Sequence, residues 1–218
     1  EVNRLPAFAG GPDATYFDML RTRLLQQMAQ NGWKRLAITS PGPACGKTTL
    51  ALNLAFALGR RPDLRTILAE VDLRRPSAQK LLGQRQTHSF ANVLAGRAPF
   101  AENAMRHGAN LAFATNEIAS RTAPDALHGD GVSAVLDRIE AEYEPSIMIF
   151  DMPPMLANDD ALAFAGKVDC ALILAAAETT TVKELDKCER ELATQTNVMG
   201  VILNKCRYMD RHESYDYY

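Results

Sequence analysis

Long apolar runs, paired cysteines and a surplus of one charge are all missing from this 218-residue sequence. No apolar stretch approaches the roughly 20 residues that cross a bilayer, and the start of the chain lacks the regions of a signal peptide. The four cysteines are far apart, which disfavours a disulfide framework and a zinc site. A formal net charge of −2 provides no positive field for nucleic acid. We therefore expect a cytoplasmic protein with no nucleic-acid partner.

The order of the apolar segments predicts one α/β domain over residues 1–206, followed by a tail at 207–218. Hydrophobic residues make up 47% of the chain, enough to fill the core of a single domain. Apolar runs predict buried strands at 36–39, 66–71, 111–114, 147–150, 170–175 and 198–203. Helical spacing lies between most of them, at 48–60, 132–142, 159–167 and 182–194. Such alternation predicts a three-layer, doubly wound, mainly parallel sheet, and an N-terminal helix at 14–30 is expected to dock on it.

A loop rich in glycine and proline separates the first strand from a helix. Its residues, with the helix start, are Gly42, Pro43, Ala44, Cys45, Gly46, Lys47, Thr48 and Thr49. This strand, loop and helix order is typical of a P-loop, which binds a polyphosphate through backbone N–H groups at a helix N-terminus. Lys47 would reach the β- and γ-phosphates, Thr48 would bind Mg²⁺, and a Cβ at Gly46 would collide with phosphate. Because Pro41 replaces the first glycine of the usual pattern, an ordinary turn is the alternative.

Two further strands end in acidic residues. Glu70 and Asp72, two positions apart and therefore on one side, close the strand at 66–71, and Asp151 follows the strand at 147–150. Ligands of doubly wound sheets bind at the carboxyl ends of the strands. Each acid could instead cap a following helix. Together with the phosphate loop they predict a site for metal binding and phosphoryl transfer.

With these motifs in family order, nearly the whole chain resembles the bacterial tyrosine kinases of polysaccharide assembly, P-loop proteins related to the MinD and ParA ATPases. The resemblance implies ATP and Mg²⁺ as cofactors. It implies catalytic roles for Lys47, Glu70, Asp72 and Asp151, and metal binding by Thr48, Asp72 and Asp151. Asn204 resembles the residue that contacts adenine in related ATPases. Glu70, which stands where the family usually has Asp, would face the incoming tyrosine hydroxyl.

The C-terminal tail contains the expected phosphate acceptors. Of the six tyrosines, four fall near the end of the chain: Tyr208, Tyr215, Tyr217 and Tyr218. The resemblance implies that a neighbouring copy phosphorylates this polar, flexible tail, so that the chain is an autokinase regulating exopolysaccharide or capsule synthesis. A tail with incidental tyrosines is the alternative.

The resemblance also implies partners. The cytoplasmic tail of a membrane protein of polysaccharide export would recruit the chain to the inner face of the membrane, and copies of the chain would associate. The ring-forming E-x-x-R-x-x-R element of the family corresponds to Thr15, Asp18 and Arg21. Only Arg21 matches, so ring assembly through the usual contacts is not expected.

Two other functions stay open. A partitioning-type ATPase would use ATP as a dimer switch, but Gly42 stands where such proteins carry their signature lysine. A nucleotide-dependent regulatory or scaffold subunit would have lost its chemistry through the change at Glu70. A separate hypothesis concerns Cys45, whose place in the phosphate loop suggests a redox-sensitive thiol, although a small side chain that merely fits is the alternative.

Overall fold

Seven strands form one sheet in the computed structural model, which describes residues 5–9, 14–84, 87–120, 127, 129 and 131–206. The strands are β1 Arg35–Thr39, β2 Thr66–Glu70, β3 Met105–His107, β4 Leu111–Ala114, β5 Ile147–Asp151, β6 Cys170–Ala176 and β7 Asn197–Asn204. Their order in the sheet is β3-β4-β2-β5-β1-β6-β7. Every neighbouring pair is parallel except β3 and β4. The predicted doubly wound, mainly parallel architecture is therefore confirmed.

Helices cover both faces of this sheet. In chain order they are α1 Pro6–Ala9, α2 Ala14–Asn31, α3 Lys47–Gly59, α4 Ala78–Leu81, α5 Phe90–Leu94, α6 Gly131–Tyr143, α7 Asp160–Ala165 and α8 Val182–Ala193. All five helices predicted from apolar spacing are present, with ends that differ by a few residues. None of the helices in the described part of the chain is long and apolar enough to cross a membrane.

Alternating side chains of the strands divide the apolar core between the two faces. Leu36 and Ile38 of β1 lie in the core that α2 and α3 cover, whereas Ala37 lies in the core covered by α5 to α8. In β5, Met148 and Phe150 belong to the same core as Ala37. Because successive residues of a strand point to opposite faces, strands that are apolar throughout require helices on both sides.

Strand β3 was not predicted from the sequence. It comprises only Met105–His107, pairs with β4 in antiparallel fashion, and lies at one edge of the sheet. Helix α5 lies in the same interval, between β2 and β3. A three-residue edge strand has too few positions to show an alternating pattern, so the sequence carried no signal for it.

The N-terminal helix α2 has α3, rather than the sheet, as its main neighbour. Its buried residues Leu24 and Met28 belong to the same apolar core as Leu36 and Ile38 of β1, so α2 helps to cover this face of the sheet. The sequence did not predict its packing on α3. Arg21 donates to the carbonyl oxygen of Ala57 in α3 (2.8 Å) and to Asp18 (2.8 Å). Asp18 also pairs with Arg60, which follows α3. Asp18 and Arg21, the charged residues at the positions of the family's ring-forming element, are thus engaged within the chain.

The predicted tail and its tyrosines, Tyr208, Tyr215, Tyr217 and Tyr218, lie outside the described residues. The described chain ends just beyond β7, at Cys206. The division between domain and tail therefore stays a prediction.

A capping box fixes the start of α8, and its removal should destabilise the fold. The Thr181 hydroxyl accepts from the Glu184 N–H (3.2 Å), and the Glu184 carboxylate accepts from the Thr181 N–H (2.9 Å). We expect Thr181→Ala to lower the free energy of unfolding by about 1 kcal/mol, measured by urea denaturation. Thr22→Ala, within α2, is the control and should cost nothing, because alanine favours a helix interior. Equal losses in the two variants would contradict the assignment of the cap.

Candidate nucleotide-binding site

The carboxyl ends of β1, β2 and β5 meet because these strands are neighbours in the sheet. Glu70 at the end of β2 is in register with Asp151 at the end of β5. The backbone carbonyl oxygen of Asp151 accepts from the N–H groups of Val71 (2.8 Å) and Asp72 (3.2 Å). The phosphate loop leaves the end of β1 beside them. Three segments that are distant in the chain are thus brought to one edge, as the sequence predicts.

A cavity of about 1260 Å³ opens at this edge. Eight residues predicted for the site line it: Pro43, Ala44, Gly46, Lys47, Thr48, Thr49, Asp72 and Asn204. Other lining residues were given no role from the sequence: Arg74, Arg75, Ser77, Lys80, Leu81, Pro153, Pro154, Ala157, Asn158 and Lys205. Four predicted residues do not line it: Gly42, Cys45, Glu70 and Asp151. All of the missed residues except Lys205 lie in the two segments that follow the acidic ends of β2 and β5, at 74–81 and 153–158, and this is the signal that could have identified them.

The phosphate loop has a backbone that only particular residues adopt easily. Gly46 has φ +100°, and Ala44 has φ +59°, both in the left-handed region. A Cβ on Gly46 would lie 2.5 Å from Nδ2 of Asn204, so the side chain of Asn204 excludes it. The predicted collision of such a Cβ with bound phosphate stays a prediction. The helix N-terminus at Lys47 has no side-chain cap, which leaves its N–H groups available for an anion.

The thiol of Cys45 is packed beneath the loop. It is buried, lies 3.4 Å from the carbonyl oxygen of Gly42, and is 3.8 Å from the Thr180 hydroxyl. This placement gives no support to the hypothesis of a redox-sensitive thiol in the cradle. The Asn204 side-chain amide donates to the Cys45 carbonyl oxygen (2.8 Å). This amide N–H group therefore holds the loop and is not available to contact adenine.

Asp151 is a buried carboxylate at the end of β5. Its side chain is 1% exposed, and neither oxygen accepts a hydrogen bond of normal geometry within the described structure. Burial raises its pKa to about 7, although the nearby Thr48 hydroxyl and the Lys47 ammonium act in the opposite direction. Such a group is costly unless a cation compensates it. The carboxylate, the Thr48 hydroxyl and the Asp72 carboxylate are oxygen donors of the kind that Mg²⁺ prefers, so these residues fit the ion.

Asp72 is the carboxylate that lines the cavity. One of its oxygens accepts from the N–H of Arg75 (3.1 Å). Burial raises its pKa, and the charges of Lys47 and Arg75 oppose that rise. Asp72 therefore lies at the boundary between the buried acids and the open cavity.

Glu70 does not face the cavity, which corrects the position expected for it. Its side chain is 1% exposed. One oxygen accepts from the N–H groups of Ser77 (2.6 Å) and Ala78 (2.8 Å), and the other accepts from the N–H of Asn116 (3.0 Å). Burial raises its pKa, opposed by these hydrogen bonds. With its oxygens engaged by backbone donors, Glu70 is placed to hold the loop and not to meet a substrate hydroxyl.

Positive charge dominates the open part of the cavity. Arg74 forms a two-pronged contact with the buried carboxylate of Asp160. Four other cations line the cavity and form no ion pair within the described ranges: Lys47, Arg75, Lys80 and Lys205. Asp72 is the acidic residue among the lining side chains. This excess of cations suits a polyanionic ligand.

A glycine-containing loop at the end of a central strand, a free helix N-terminus and a lysine over a cationic cavity define a P-loop nucleotide-binding protein. The chain belongs to the CobQ/CobB/MinD/ParA nucleotide-binding domain family, whose CbiA model matches residues 36–216.

Among known proteins, the chain is similar to several tyrosine-protein kinases. It is 27% identical to the kinase wzc of Salmonella typhimurium over 91% of this chain and 28% of that protein. It is 25% identical to YwqD of Bacillus subtilis over 91% of this chain and 83% of that protein. The solved kinase domain of the Escherichia coli tyrosine kinase ETK superposes with a TM-score of 0.81 at 26% identity, over 94% of this chain and 80% of that one. The chain spans about a quarter of the length of several curated relatives. These comparisons confirm the resemblance to bacterial tyrosine kinases that the sequence showed.

Gly46 and Gly42 offer a matched test of the loop geometry. Gly46→Ala would force a Cβ against Asn204 at a positive φ, whereas a Cβ at Gly42 meets nothing within 4 Å. We expect Gly46→Ala to lower the free energy of unfolding by on the order of 1–3 kcal/mol. Gly42→Ala should change it by less than about 0.5 kcal/mol. Denaturant titrations of both variants measure this, and similar losses would show that the loop is not held as described.

The buried carboxylate of Asp151 should make the protein free of nucleotide and magnesium less stable as pH rises. Its pKa is about 7 in the folded state, against 3.8 for an ordinary aspartate. Below pH 4 both states are protonated, and between pH 4 and 7 folding favours the protonated form, so stability falls across that range. Asp151→Asn removes this dependence. The free energy of unfolding of Asp151→Asn, taken relative to that of wild type, should therefore rise by on the order of 2–3 kcal/mol from pH 5 to pH 8.

Urea denaturation in EDTA at the two pH values measures that change. Asp186→Asn, on the exposed side of α8, is the matched control and should have the same effect at both. A pH-independent effect of Asp151→Asn would contradict the assigned protonation.

Proposed function

We propose that the chain is the ATP-binding kinase domain of a bacterial protein-tyrosine kinase of exopolysaccharide or capsule synthesis. It transfers the γ-phosphoryl group of ATP to tyrosines of a second copy, namely Tyr208, Tyr215, Tyr217 and Tyr218. The observation that carries the proposal is the buried Asp151 carboxylate, which has no hydrogen-bond partner among the described residues and lies near Thr48 and Lys47, two residues that line a cationic cavity. Similarity to proteins named tyrosine kinases supports the choice among nucleotide-binding functions.

The loop residues bind and orient the phosphates. Backbone N–H groups from Ala44 to Thr49 hold the phosphate oxygens at the helix N-terminus, and Lys47 neutralises charge on the transferred group. Arg75 and Lys80 lie in the same cavity and can balance further negative charge. Fixed donors of this kind need little reorganisation during the reaction, which is how they lower its barrier.

Thr48, Asp72 and Asp151 would hold Mg²⁺, which when bound neutralises phosphate charge and polarises the phosphoryl group. Asp72 is the acid that reaches the cavity, and we assign it the additional part of accepting the proton of the tyrosine hydroxyl. The tyrosine oxygen forms a bond to the γ-phosphorus while the bond from that phosphorus to the β,γ-bridging oxygen breaks. ADP, phosphotyrosine and one proton result.

The proposal includes a membrane partner. A cytoplasmic segment of a polysaccharide-export membrane protein would bring the chain to the membrane, as the resemblance implies. Self-association would bring the tail of one copy to the cavity of another. Arg21 binds the carbonyl oxygen of Ala57 in α3, and Asp18 pairs with Arg21 and Arg60 of the same chain. Contacts between copies would therefore use other residues.

Phosphotyrosine formation tests the proposal. The enzyme copy carries Phe at all four tail tyrosines, and the substrate copy carries the intact tail with Lys47→Met. Incubated together with ATP and Mg²⁺, they should give phosphotyrosine only on the Lys47→Met copy, detected by blotting after separation by a size tag. Lys47→Met in both copies should lower the signal by about 10²–10³-fold, because a fixed charge on the transferred group is lost.

Two outcomes would contradict the proposal. Nucleotide binding without phosphotyrosine would favour the regulatory or scaffold subunit. ATP hydrolysis without phosphotyrosine would favour the switch ATPase.

A further inference from the structure

Ser77, which is not one of the assigned magnesium ligands, contacts the hydroxyl of Thr48. The Ser77 hydroxyl lies 3.1 Å from the Thr48 hydroxyl, and both residues line the cavity. Ser77 is held in turn by Glu70, whose carboxylate accepts from the Ser77 N–H (2.6 Å) and from the N–H of Ala78 (2.8 Å). A continuous path of hydrogen bonds therefore runs from the end of β2 to the start of α3.

The Glu70 side chain closes the loop that follows β2. Its carboxylate reaches backbone groups seven and eight residues along the chain. Between these two anchors lie Asp72, Arg74 and Arg75, which line the cavity together with Ser77. The second carboxylate oxygen and the backbone carbonyl of Glu70 bind the N–H and the side chain of Asn116, both at 3.0 Å, which fixes the direction of the carboxylate.

The length of the side chain matters for this contact. An aspartate at position 70 would carry its carboxylate one methylene closer to the strand, a retreat of about 1.5 Å. Hydrogen bonds of 2.6 and 2.8 Å would then stretch beyond a useful length. The glutamate that replaces the family's usual aspartate is therefore long enough to hold Ser77.

We propose that Ser77 orients the Thr48 hydroxyl for magnesium, and that Glu70 is the positioning residue that holds Ser77 in place. The Ser77 hydroxyl donates to the Thr48 oxygen at 3.1 Å, which occupies one lone pair of that oxygen and leaves the other for a cation. Without Ser77, the Thr48 hydroxyl would lose the donor that fixes the direction of its lone pairs. Ordering it would then oppose binding of the magnesium–nucleotide complex.

Nucleotide affinity with and without magnesium tests this inference, which rests on the magnesium–nucleotide binding of the proposed function. The probe is a fluorescent, non-hydrolysable ATP analogue, titrated into the full chain in Mg²⁺ or in EDTA. Ser77→Ala should weaken affinity about tenfold in Mg²⁺ and leave affinity in EDTA unchanged, because only the cation uses the oriented hydroxyl. Ser89→Ala is the matched control, since Ser89 caps α5 away from the cavity and should alter neither value.

Two substitutions at Glu70 separate a positioning role from a substrate-facing one. Glu70→Asp should reproduce the magnesium-specific loss, because it releases Ser77. Glu70→Gln should largely restore magnesium-dependent affinity, because its amide oxygen can still accept from the Ser77 and Ala78 N–H groups. Its amide nitrogen would instead oppose the N–H of Asn116, so a lower Tm is expected for this variant.

Equal losses in Mg²⁺ and EDTA for Ser77→Ala, or no loss in either, would overturn the inference. The inference would also be overturned if Mg²⁺ raised the affinity of Glu70→Asp for the analogue as much as it raises that of wild type. These readouts need no phosphotyrosine, so the inference can fail while the kinase assay succeeds. If wild type binds the analogue no better in Mg²⁺ than in EDTA, both the inference and the magnesium part of the proposed function are overturned.

Discussion

A buried, unpaired carboxylate is the constraint around which the carboxyl edge of the sheet is arranged. Asp151 lies between β1 and β2, and its backbone carbonyl fixes Val71 and Asp72 at the end of β2. Its side chain lies below the start of α3 without a hydrogen-bond partner among the described residues. A fold optimised only for stability would remove such a group, because its burial is costly. Its presence is what supports the magnesium site that we propose for this edge.

The two acids near the end of β2 differ in their surroundings, and we infer that they differ in their roles. Glu70 and Asp72 are two residues apart, yet backbone donors surround one carboxylate and the other borders the cavity. A substitution at Glu70 therefore changes the position of a loop before it changes any contact with substrate. This division weakens the interpretation that the glutamate by itself marks an inactive protein.

Much of the fold and part of the site could be predicted from the sequence. The five helices and six strands follow from apolar spacing, because each pattern lies within one short segment. The phosphate loop was recognisable for the same reason, since the loop and the helix start are contiguous. The small strand β3 was missed because three residues are too few to show an alternating pattern. The packing of α2 on α3 was missed because an apolar stripe shows that a helix face is buried but not which element covers it.

The sequence by itself determined the sheet class, the phosphate loop and the presence of acids at two strand ends. Only the tertiary structure decided what each acid does. Ser77 meets Thr48 across 29 positions of the chain, and Glu70 binds Asn116 across 46. Burial and hydrogen-bond partners arise from such distant contacts, and a linear pattern contains the residue types but not the distances between them.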